Sequence, residues 1–300
     1  MLANQLKKIL PDIISPSQSA FIPGRLITDN ILVAFKALHT MNGRLKGKEG
    51  FMALKLDMSK AYDRVEWDFL QAIMLKMGFA THWVHLAMTC VWTVTFSVLI
   101  HGRPYGRIIP TRGIRQGDPL SPYFFILCAE GLSALLHRAA ADRWITGFPV
   151  NWGGTRLSHL FFADDSLLFC KASIFEWARI QHILHIYEMA SGQKINREKT
   201  VIFFSRNTYH DAKEHILSVA GVSPIGSYKQ YLGLPALIGK LKKSVFSALK
   251  DKIWNRLNGW KEKFLSQAGK KVLLKAVIHA IPIYTMSVFQ IPKTLCQEIN

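Results

Sequence analysis

Apolar residues recur along this chain at two periods, which together predict a mixture of helices and strands. Residues 2–10 have the spacing of a short amphipathic helix ended by Pro11, and residues 65–77 return to helical spacing. Between these segments, residues 51–58 form an apolar run of strand length. The first quarter of the chain is therefore predicted to alternate helix, strand and helix.

Two further segments of the first 110 residues also predict secondary structure. Thr28 or Asp29 is placed to cap a helix whose apolar positions follow at residues 31–38. The β-branched run 91–100 predicts a strand, with a turn over residues 101–106 and a returning strand over residues 107–110.

The middle of the chain predicts a long helix and then a hairpin with an acidic tip. Residues 120–141 are almost continuously apolar, and Pro122 stands close to the start of this helix. Residues 157–171 form two apolar runs on either side of Asp164 and Asp165. Another helix and a short strand are predicted at residues 173–189 and 201–205.

The C-terminal region predicts two helices with one apolar and one basic face. They fit residues 244–260 and 267–280, and the composition shifts after Gly226. In the first helix, apolar residues recur at spacings of three and four, namely Val245, Phe246, Leu249, Ile253 and Leu257. We expect this face to pack against the rest of the protein.

Composition and charge favour a globular protein with a polyanionic partner. Of the 300 residues, 49% are hydrophobic and 19% are charged, which supports a sizeable core in two ordinary domains or one large divided domain. The formal net charge is +18, which favours nucleic acid or an anionic membrane. The apolar run 91–100 is too short to span a bilayer, so we favour nucleic acid as the polyanionic partner. Residues 240–300 contain 12 Lys and Arg and 3 Asp and Glu, a net charge of +9.

The four cysteines indicate an intracellular protein, nuclear or cytoplasmic, that is not secreted. Their positions lie far apart without paired spacing, at Cys90, Cys128, Cys170 and Cys296. This pattern favours reduced core thiols over a disulfide framework or a zinc site. Charged residues interrupt the start of the chain, which argues against a signal peptide.

Three carboxylates stand where a carboxylate is costly. Asp57 ends an apolar run, and Asp164 with Asp165 separates two others. A buried carboxylate needs a partner, and a divalent cation such as Mg²⁺ is one. Each also has a plainer interpretation, since Asp57 could cap the following helix and the Asp pair could be an ordinary hairpin turn.

Five ordered segments resemble motifs of the reverse transcriptases of non-LTR (LINE-type) retrotransposons. Their sequences are KLDMSKAYDRV at 55–65, RGIRQGDPLSP at 112–122, FADD at 162–165, GQKINREKT at 192–200 and YLG at 231–233. The tail around residues 260–282 resembles the thumb of plant members. Five motifs in order are far more specific than any one of them.

The resemblance implies an α+β fold of the right-hand polymerase type. Residues 1–236 would form a reverse transcriptase domain with partial fingers and a palm, in which helices pack on an antiparallel sheet. Residues 237–300 would form a mainly helical, thumb-like region. A basic finger segment precedes residue 2 in the family, so we expect an N-terminally truncated copy with incomplete fingers.

The resemblance also implies roles at the catalytic centre. Asp57, Asp164 and Asp165 would hold two Mg²⁺ ions, with Mn²⁺ as a possible substitute. Lys199 would protonate the leaving pyrophosphate, although a lone lysine is usually only solvated. Tyr62 would lie under the incoming sugar, and it could equally be a core aromatic.

The remaining roles concern nucleotide and nucleic acid. Gln116 and Gly117 would lie along the nucleotide and the template base, although Gly117 could serve only turn geometry. Two sets of residues would contact nucleic acid: the primer-grip residues Tyr231, Leu232 and Gly233, and the basic residues Lys270, Lys271 and Lys275. The plainer interpretation of these lysines is a solvated surface. Arg25 and Lys55 are further candidates for phosphate contacts.

The implied activity is RNA-directed DNA polymerisation, with an RNA template, a DNA primer and deoxynucleotides as partners and with neither a membrane nor an obligate protein partner. The alternative is a catalytically dead, nucleic-acid-binding remnant of such an element. Because the finger segment is expected to be missing, we expect the chain to extend a primer weakly or not at all. A basic membrane-surface protein would leave the carboxylates without a role.

Overall fold

The computed structural model describes residues 1–45, 47, 49–150, 156–220, 230–237, 242–258 and 266–299. The chain divides into two compact units. The first unit contains Met1–Asn30 and Thr40–Ser227, and the second contains Ile31–His39 and Tyr228–Asn300. Both helices and antiparallel strands are present, so the predicted α+β class is confirmed.

The first unit contains most of the strands. Its helices are α1 (Leu2–Ile13), the two ends of α2 (Ile27–Gly43), α3 (Trp67–Lys76), α4 (Thr81–Trp92), α5 (Ser121–Ala141), α6 (Ile174–Ser191) and α7 (His210–Ala220). Its strands are β1 (Phe51–Leu56), β2 (Met58–Ser59), β3 (Phe96–Ile100), β4 (Arg103–Ile108), β5 (Phe148–Pro149), β6 (Arg156–Leu157), β7 (His159–Phe162), β8 (Asp165–Lys171), β9 (Lys194–Ile195) and β10 (Val201–Phe204).

A four-stranded antiparallel sheet in the order β10-β1-β8-β7 organises the first unit. Strand β1 lies at its centre, with Leu54 opposite both Ile202 of β10 and Leu168 of β8. All of β1 except Lys55 is buried, which explains why it is a nearly continuous apolar run. Strands β7 and β8 form the hairpin that the sequence predicts.

Helix α5 is the central core helix, and it packs on α3 and α6. Eleven of its residues are buried, and Pro122 lies in its first turn as predicted. By length and composition alone this helix could cross a membrane. Its apolar character is explained by packing, because more than half of the apolar window is buried inside the fold.

The predicted strand 91–100 is wrong over its first part. Helix α4 continues to Trp92 because Val84, Ala87, Met88 and Val91 form one buried helical face. Strand β3 begins only at residue 96, and its partner β4 begins earlier than expected, at residue 103. Every residue of this hairpin is exposed.

Two capping predictions and one burial prediction are also wrong. Helix α2 begins at Ile27 and has no side-chain cap, so neither candidate cap is used, although Asp29 lies in its first turn. Asp57 caps no helix, because α3 begins ten residues later. Cys90 is exposed, whereas Cys128 and Cys170 lie in the core, and all four thiols are free.

The second unit is mainly helical. Its elements are β11 (Gln230–Tyr231), β12 (Leu234–Pro235), α8 (Lys242–Asn258), α9 (Gln267–Leu273), a π-helical turn (Leu274–Ile278), α10 (Ala280–Met286) and α11 (Lys293–Ile299). On α8, Phe246, Leu249 and Ile253 are buried as predicted, and this helix contacts α10 and α11. The side chain of Val245, and residues 259–265 with Trp260, lie outside the described residues.

The predicted helix 267–280 is interrupted by the π-helical turn and continues as α10 to residue 286. Pro282 explains the interruption. Its ring has no N–H to donate and crowds the carbonyl of Ile278, four residues earlier, so the regular α-helical ladder cannot continue there.

Gly192 ends α6 in a conformation that only glycine adopts easily. Its φ is +74°, and the N–H donates to the carbonyl of Glu188. A Cβ atom at this position would lie 2.6 Å from the backbone oxygen of Arg64. The neighbouring backbone is fixed as well, because the N–H of Glu66 donates to the carbonyl of Ser191 at 2.9 Å.

We predict that Gly192→Ala lowers the free energy of unfolding by more than the same change at Gly78. Gly78 has a φ of +88° with nothing near a Cβ, so Gly78→Ala adds only backbone strain, about 1–2 kcal/mol. Gly192→Ala adds the contact with Arg64 to a similar strain. Urea denaturation of both variants measures the difference, and equal losses would contradict the prediction.

Candidate active site

Strand pairing brings the three predicted carboxylates to one end of the sheet. The pairing of β1 with β8 ends at Leu56 opposite Ser166. Asp57 follows the first of these residues and Asp165 precedes the second, so the two backbones are neighbours. Asp164 lies in the two-residue turn between Phe162 and Asp165.

The carboxylates influence one another electrostatically. The pKa of Asp165 is raised, chiefly by burial and further by the negative charges of Asp164 and Asp57, while Lys55 opposes the rise. The ammonium of Lys55 lies 3.4 Å from a carboxylate oxygen of Asp165. Lys55, a candidate phosphate contact from the sequence, is therefore paired within the acidic cluster.

Lys199 lies beside the third carboxylate. Its Nζ is 4.0 Å from Oδ2 of Asp57, and both side chains are substantially exposed. The main chain of Asp57 is fixed nearby, since its carbonyl accepts the N–H of Asn196 at 2.8 Å. The segment with Lys199 and the strand end with Asp57 thus form one face of the site.

Tyr62 is half-buried at the border of this site. Its ring stacks on Phe125 of α5, with centroids 4.9 Å apart and planes 11° from parallel. Burial raises the pKa of Tyr62, and the negative charge of Asp164 raises it further. The packing and the nearby acidic turn agree with both interpretations of Tyr62, as a core aromatic and as a residue of the site.

The backbone before Tyr62 is fixed by Gln193. The side-chain nitrogen of Gln193 donates to the carbonyl of Ala61 at 2.9 Å. The hydroxyl of Tyr187 donates to the side-chain oxygen of Gln193, and all of these groups are buried. Gln193 belongs to the motif at 192–200, but the sequence did not predict this role for it.

Gln116 and Gly117 lie in an exposed loop, and Gly117 has a φ of +86°. Hydrogen bonds join the start of this loop to the Tyr62 segment, from the N–H of Ile114 to the carbonyl of Tyr62 at 2.9 Å and from the N–H of Gly113 to the carbonyl of Val65 at 2.8 Å. A cavity of about 360 Å³ opens beside the loop, and its lining includes Asp63, Cys90, Phe96, Arg112, Arg115 and Gln116.

The predicted nucleic-acid contacts belong to the second unit. Tyr231 is buried and pairs with Leu234, while Leu232 has a φ of +49° in the turn between them. The hydroxyl of Tyr284 donates to the carbonyl of Leu232 at 2.9 Å, and Gly233 follows in the same turn. Three lysines of this unit are exposed as predicted: Lys270, Lys271 and Lys275.

The donor chemistry at the sheet end suits a hard divalent cation. Carboxylate oxygens are the ligands that Mg²⁺ prefers, and a cation would relieve the repulsion that helps to raise the pKa of Asp165. Within the described ranges, no three His, Cys, Asp or Glu side chains are already gathered closely enough to hold a metal ion. Two of the carboxylates instead face Lys55 and Lys199.

Arg25 does not have the role that the sequence suggested. Its guanidinium donates to four backbone carbonyls, those of Pro11, Ile14, Ser15 and Gln18, at 2.5–3.1 Å. A guanidinium engaged in this way is not free to bind a phosphate, so the predicted phosphate contact of Arg25 is wrong.

Comparison with known proteins identifies a matching family and several relatives. Residues 1–236 match the family model described as reverse transcriptase (RNA-dependent DNA polymerase). The transposon TX1 149 kDa protein of Xenopus laevis is 28% identical over 91% of this chain and 20% of its own length. The Pol polyprotein of the type-1 retrotransposable element R2 from Popillia japonica is 29% identical over 42% of this chain and 20% of its own length.

Other relatives extend the comparison. An uncharacterised mitochondrial protein of Arabidopsis thaliana is 52% identical over 68 residues, which are 23% of this chain and 56% of that protein. The chain thus spans little more than half of one such relative and a fifth of others. A solved telomerase from Candida albicans, in complex with a fragment of telomeric RNA, shares the fold with a TM-score of 0.51 and 14% identity over 86% of this chain and 42% of its own.

We predict that Lys55→Met raises the pKa of Asp165 further, because the change removes the opposing positive charge. Carbon-detected NMR titration of the aspartate carboxyl groups measures this shift. Lys60→Met is the matched control, since Lys60 is an exposed lysine of the next turn that does not act on Asp165. An unchanged or lower pKa of Asp165 in Lys55→Met would contradict the prediction.

Proposed function

Because this chain belongs to the reverse transcriptase (RNA-dependent DNA polymerase) family, of the non-LTR retrotransposon type, we propose that it copies RNA into DNA by adding deoxynucleotides to a primer. The observation that carries the proposal is the convergence of Asp57, Asp164 and Asp165 at one sheet end. The mutual effect of these charges on Asp165 supports a shared electrostatic site.

Asp57, Asp164 and Asp165 would hold two Mg²⁺ ions. When bound, such ions stabilise the charge that develops on the attacking and leaving oxygens of phosphoryl transfer. The protein contributes the placement of its carboxylates, which the pairing of β1 with β8 fixes. Mn²⁺ has similar oxygen preferences and would substitute.

The neighbouring side chains would position the nucleotide. Tyr62, stacked on Phe125, offers a rigid ring on which the sugar would lie. Gln116 and Gly117 would follow the nucleotide and the template base. Lys199, beside Asp57, would hold a proton at its Nζ for the leaving pyrophosphate.

We also assign finer roles to parts of the chain. The sheet and core helices of the first unit would be the palm, and the helices of residues 237–300 would be the thumb, with a domain boundary at residues 236/237. The turn of Tyr231, Leu232 and Gly233 would grip the primer. An RNA template, a DNA primer and deoxynucleotides would be the partners, without an obligate protein partner, in an intracellular setting.

We expect any primer extension on an RNA template to be lost in Asp164→Asn, because a charge that would bind the metal is removed at constant size. Extension of a labelled DNA primer in Mg²⁺ or Mn²⁺ measures this effect. Asp68→Asn, an exposed change in the first turn of α3, is the control and should retain the activity of the unchanged chain.

Equal extension by the unchanged chain and by Asp164→Asn would overturn the assignment of the site. No extension by the unchanged chain, together with tight binding of an RNA–DNA duplex, would favour the alternative function of a non-catalytic binding protein.

The exposed lysines of the second unit provide a separate test of nucleic-acid binding. Replacing Lys270, Lys271 and Lys275 together with Gln should weaken duplex binding with little regard to sequence. If each lysine contacts one phosphate, the slope of log affinity against log salt becomes flatter by about 2 to 3. Titration at several salt concentrations measures the slope.

The control for this test carries the same change in net charge. Three exposed lysines of the first unit, Lys7, Lys8 and Lys76, are replaced together with Gln. An equal effect of both triple variants would show that only total charge matters, and the three lysines of the second unit would then be an ordinary solvated surface.

A further inference from the structure

The acidic turn places an alanine where a two-residue hairpin needs a positive φ, a conformation that glycine adopts more easily. Ala163 has a φ of +53°, in the left-handed region that residues with a Cβ atom rarely occupy. It stands in the two-residue turn between Phe162 and Asp165, directly before Asp164. A strained backbone of this kind persists only where the surrounding structure holds it.

Gln18 holds this turn from a segment 145 positions away in the sequence. Its Oε1 accepts the N–H of Ala163 at 3.2 Å and the N–H of Ala20 at 2.9 Å. Both neighbours are donors, so the side-chain oxygen rather than the nitrogen must face them. The residue is 1% exposed, and the two hydrogen bonds are therefore shielded from water.

The nitrogen of the same side-chain amide is buried at a cost in free energy. Nε2 of Gln18 is buried and has no hydrogen-bond partner in the part of the chain that the structure describes. A buried donor without an acceptor loses its hydration without compensation. Methionine has similar length and would avoid this cost, so the amide is better explained by the bonds of Oε1 than by packing.

The backbone of Gln18 is itself fixed against β7. The N–H of Phe161 donates to the carbonyl of Ser17 at 2.7 Å, and the N–H of Ser19 donates to the carbonyl of Phe161 at 3.1 Å. Gln18 and Phe161 thereby form a parallel bridge at the edge of the sheet. The guanidinium of Arg25 donates to the carbonyl of Gln18 at 2.6 Å.

A partly buried anchor lies at the start of this segment. The carboxylate of Glu130 on α5 accepts both the N–H and the hydroxyl of Ser15, each at 3.1 Å. The hydroxyl of Ser15 also lies 2.8 Å from that of Ser133 on the same helix. The segment is thus attached to the core helix before it reaches Gln18, and Gln18 is a fixed support.

We propose that Gln18 is a positioning residue for the turn that would hold the metal ions. Through the N–H of Ala163, its side chain sets the path of the backbone and so the direction in which Asp164 and Asp165 present their carboxylates. The purpose of this support rests on the proposed polymerase function, whereas the support itself rests on the contacts described above.

Hydrogen exchange of the Ala163 amide tests the contact directly in the full chain. In the unchanged protein we expect this amide to be protected although it lies in a hairpin turn. Gln18→Met should speed its exchange by about 10-fold or more, because the acceptor is lost, while amides in the middle of β8 remain protected. An unprotected Ala163 amide in the unchanged protein would overturn the proposal whether or not the variant folds.

Metal binding without catalysis tests the consequence. In titrations followed by electron paramagnetic resonance of Mn²⁺, Gln18→Met should weaken the affinity by about 10-fold, as is usual when support behind a metal ligand is removed. Gln181→Met on α6, a partly exposed glutamine outside the proposed metal site, is the matched control and should bind Mn²⁺ like the unchanged protein. Equal affinities of the two variants would refute the positioning role.

The two proposals fail in different ways. Protection of Ala163 and Mn²⁺ binding that both depend on Gln18, without primer extension, would contradict the polymerase function and leave the positioning role standing. Primer extension that is lost in Asp164→Asn but unchanged in Gln18→Met would support the polymerase function and contradict the positioning role of Gln18.

Discussion

The antiparallel register of β1 and β8 is the constraint on which the candidate site depends. It places the end of β1 beside the start of β8, so Asp57 and Asp165 become neighbours although 108 positions separate them. The register is fixed by burial, because Met52, Leu54 and Leu56 face the hydrophobic core from alternate positions of β1. A slip of one residue would move these side chains to the other face of the sheet and turn Asp57 towards this core. The hydrophobic core therefore holds the charges together.

Gathering like charges has a cost, and the sequence places cations where they reduce it. Asp165 is half-buried near two other carboxylates, and its raised pKa shows that the charged form is disfavoured there. Lys55 and Lys199 each lie near one of these carboxylates, at the distances of loose ion pairs. Ion pairs as exposed as that of Lys199 with Asp57 contribute little to stability, so they are readily exchanged for a more strongly charged ligand. The same repulsion that raises the free energy of the clustered carboxylates favours the binding of divalent cations.

The sequence predicted the structural features that depend on residues close together in the chain. The long core helix, the acidic hairpin and the buried face of α8 follow from periodicity, and the structure contains each of them. The strand expected from residue 91 onward was wrong because β-branched residues of α4 serve a helical face that only packing reveals. Gln18, Gln193 and the true role of Arg25 were missed for another reason. Their hydrogen bonds to the acidic turn, to Ala61 and to several carbonyls are set by tertiary structure, so the neighbouring residues in the sequence do not predict them.

The missed residues share a chemical property that explains their use. Gln18 and Gln193 are buried amides that hold backbone atoms on two sides of the site, at Ala163 and at Ala61. A lysine or an aspartate in either place would bring a full charge close to the carboxylates and shift their pKa values. A neutral amide fixes the backbone without altering the field that a cation would experience. The geometry of the site is thus set by buried neutral groups that keep their hydrogen-bond partners. Its charge is set by lysines and carboxylates that are at least partly exposed to water and can exchange their ion-pair partners.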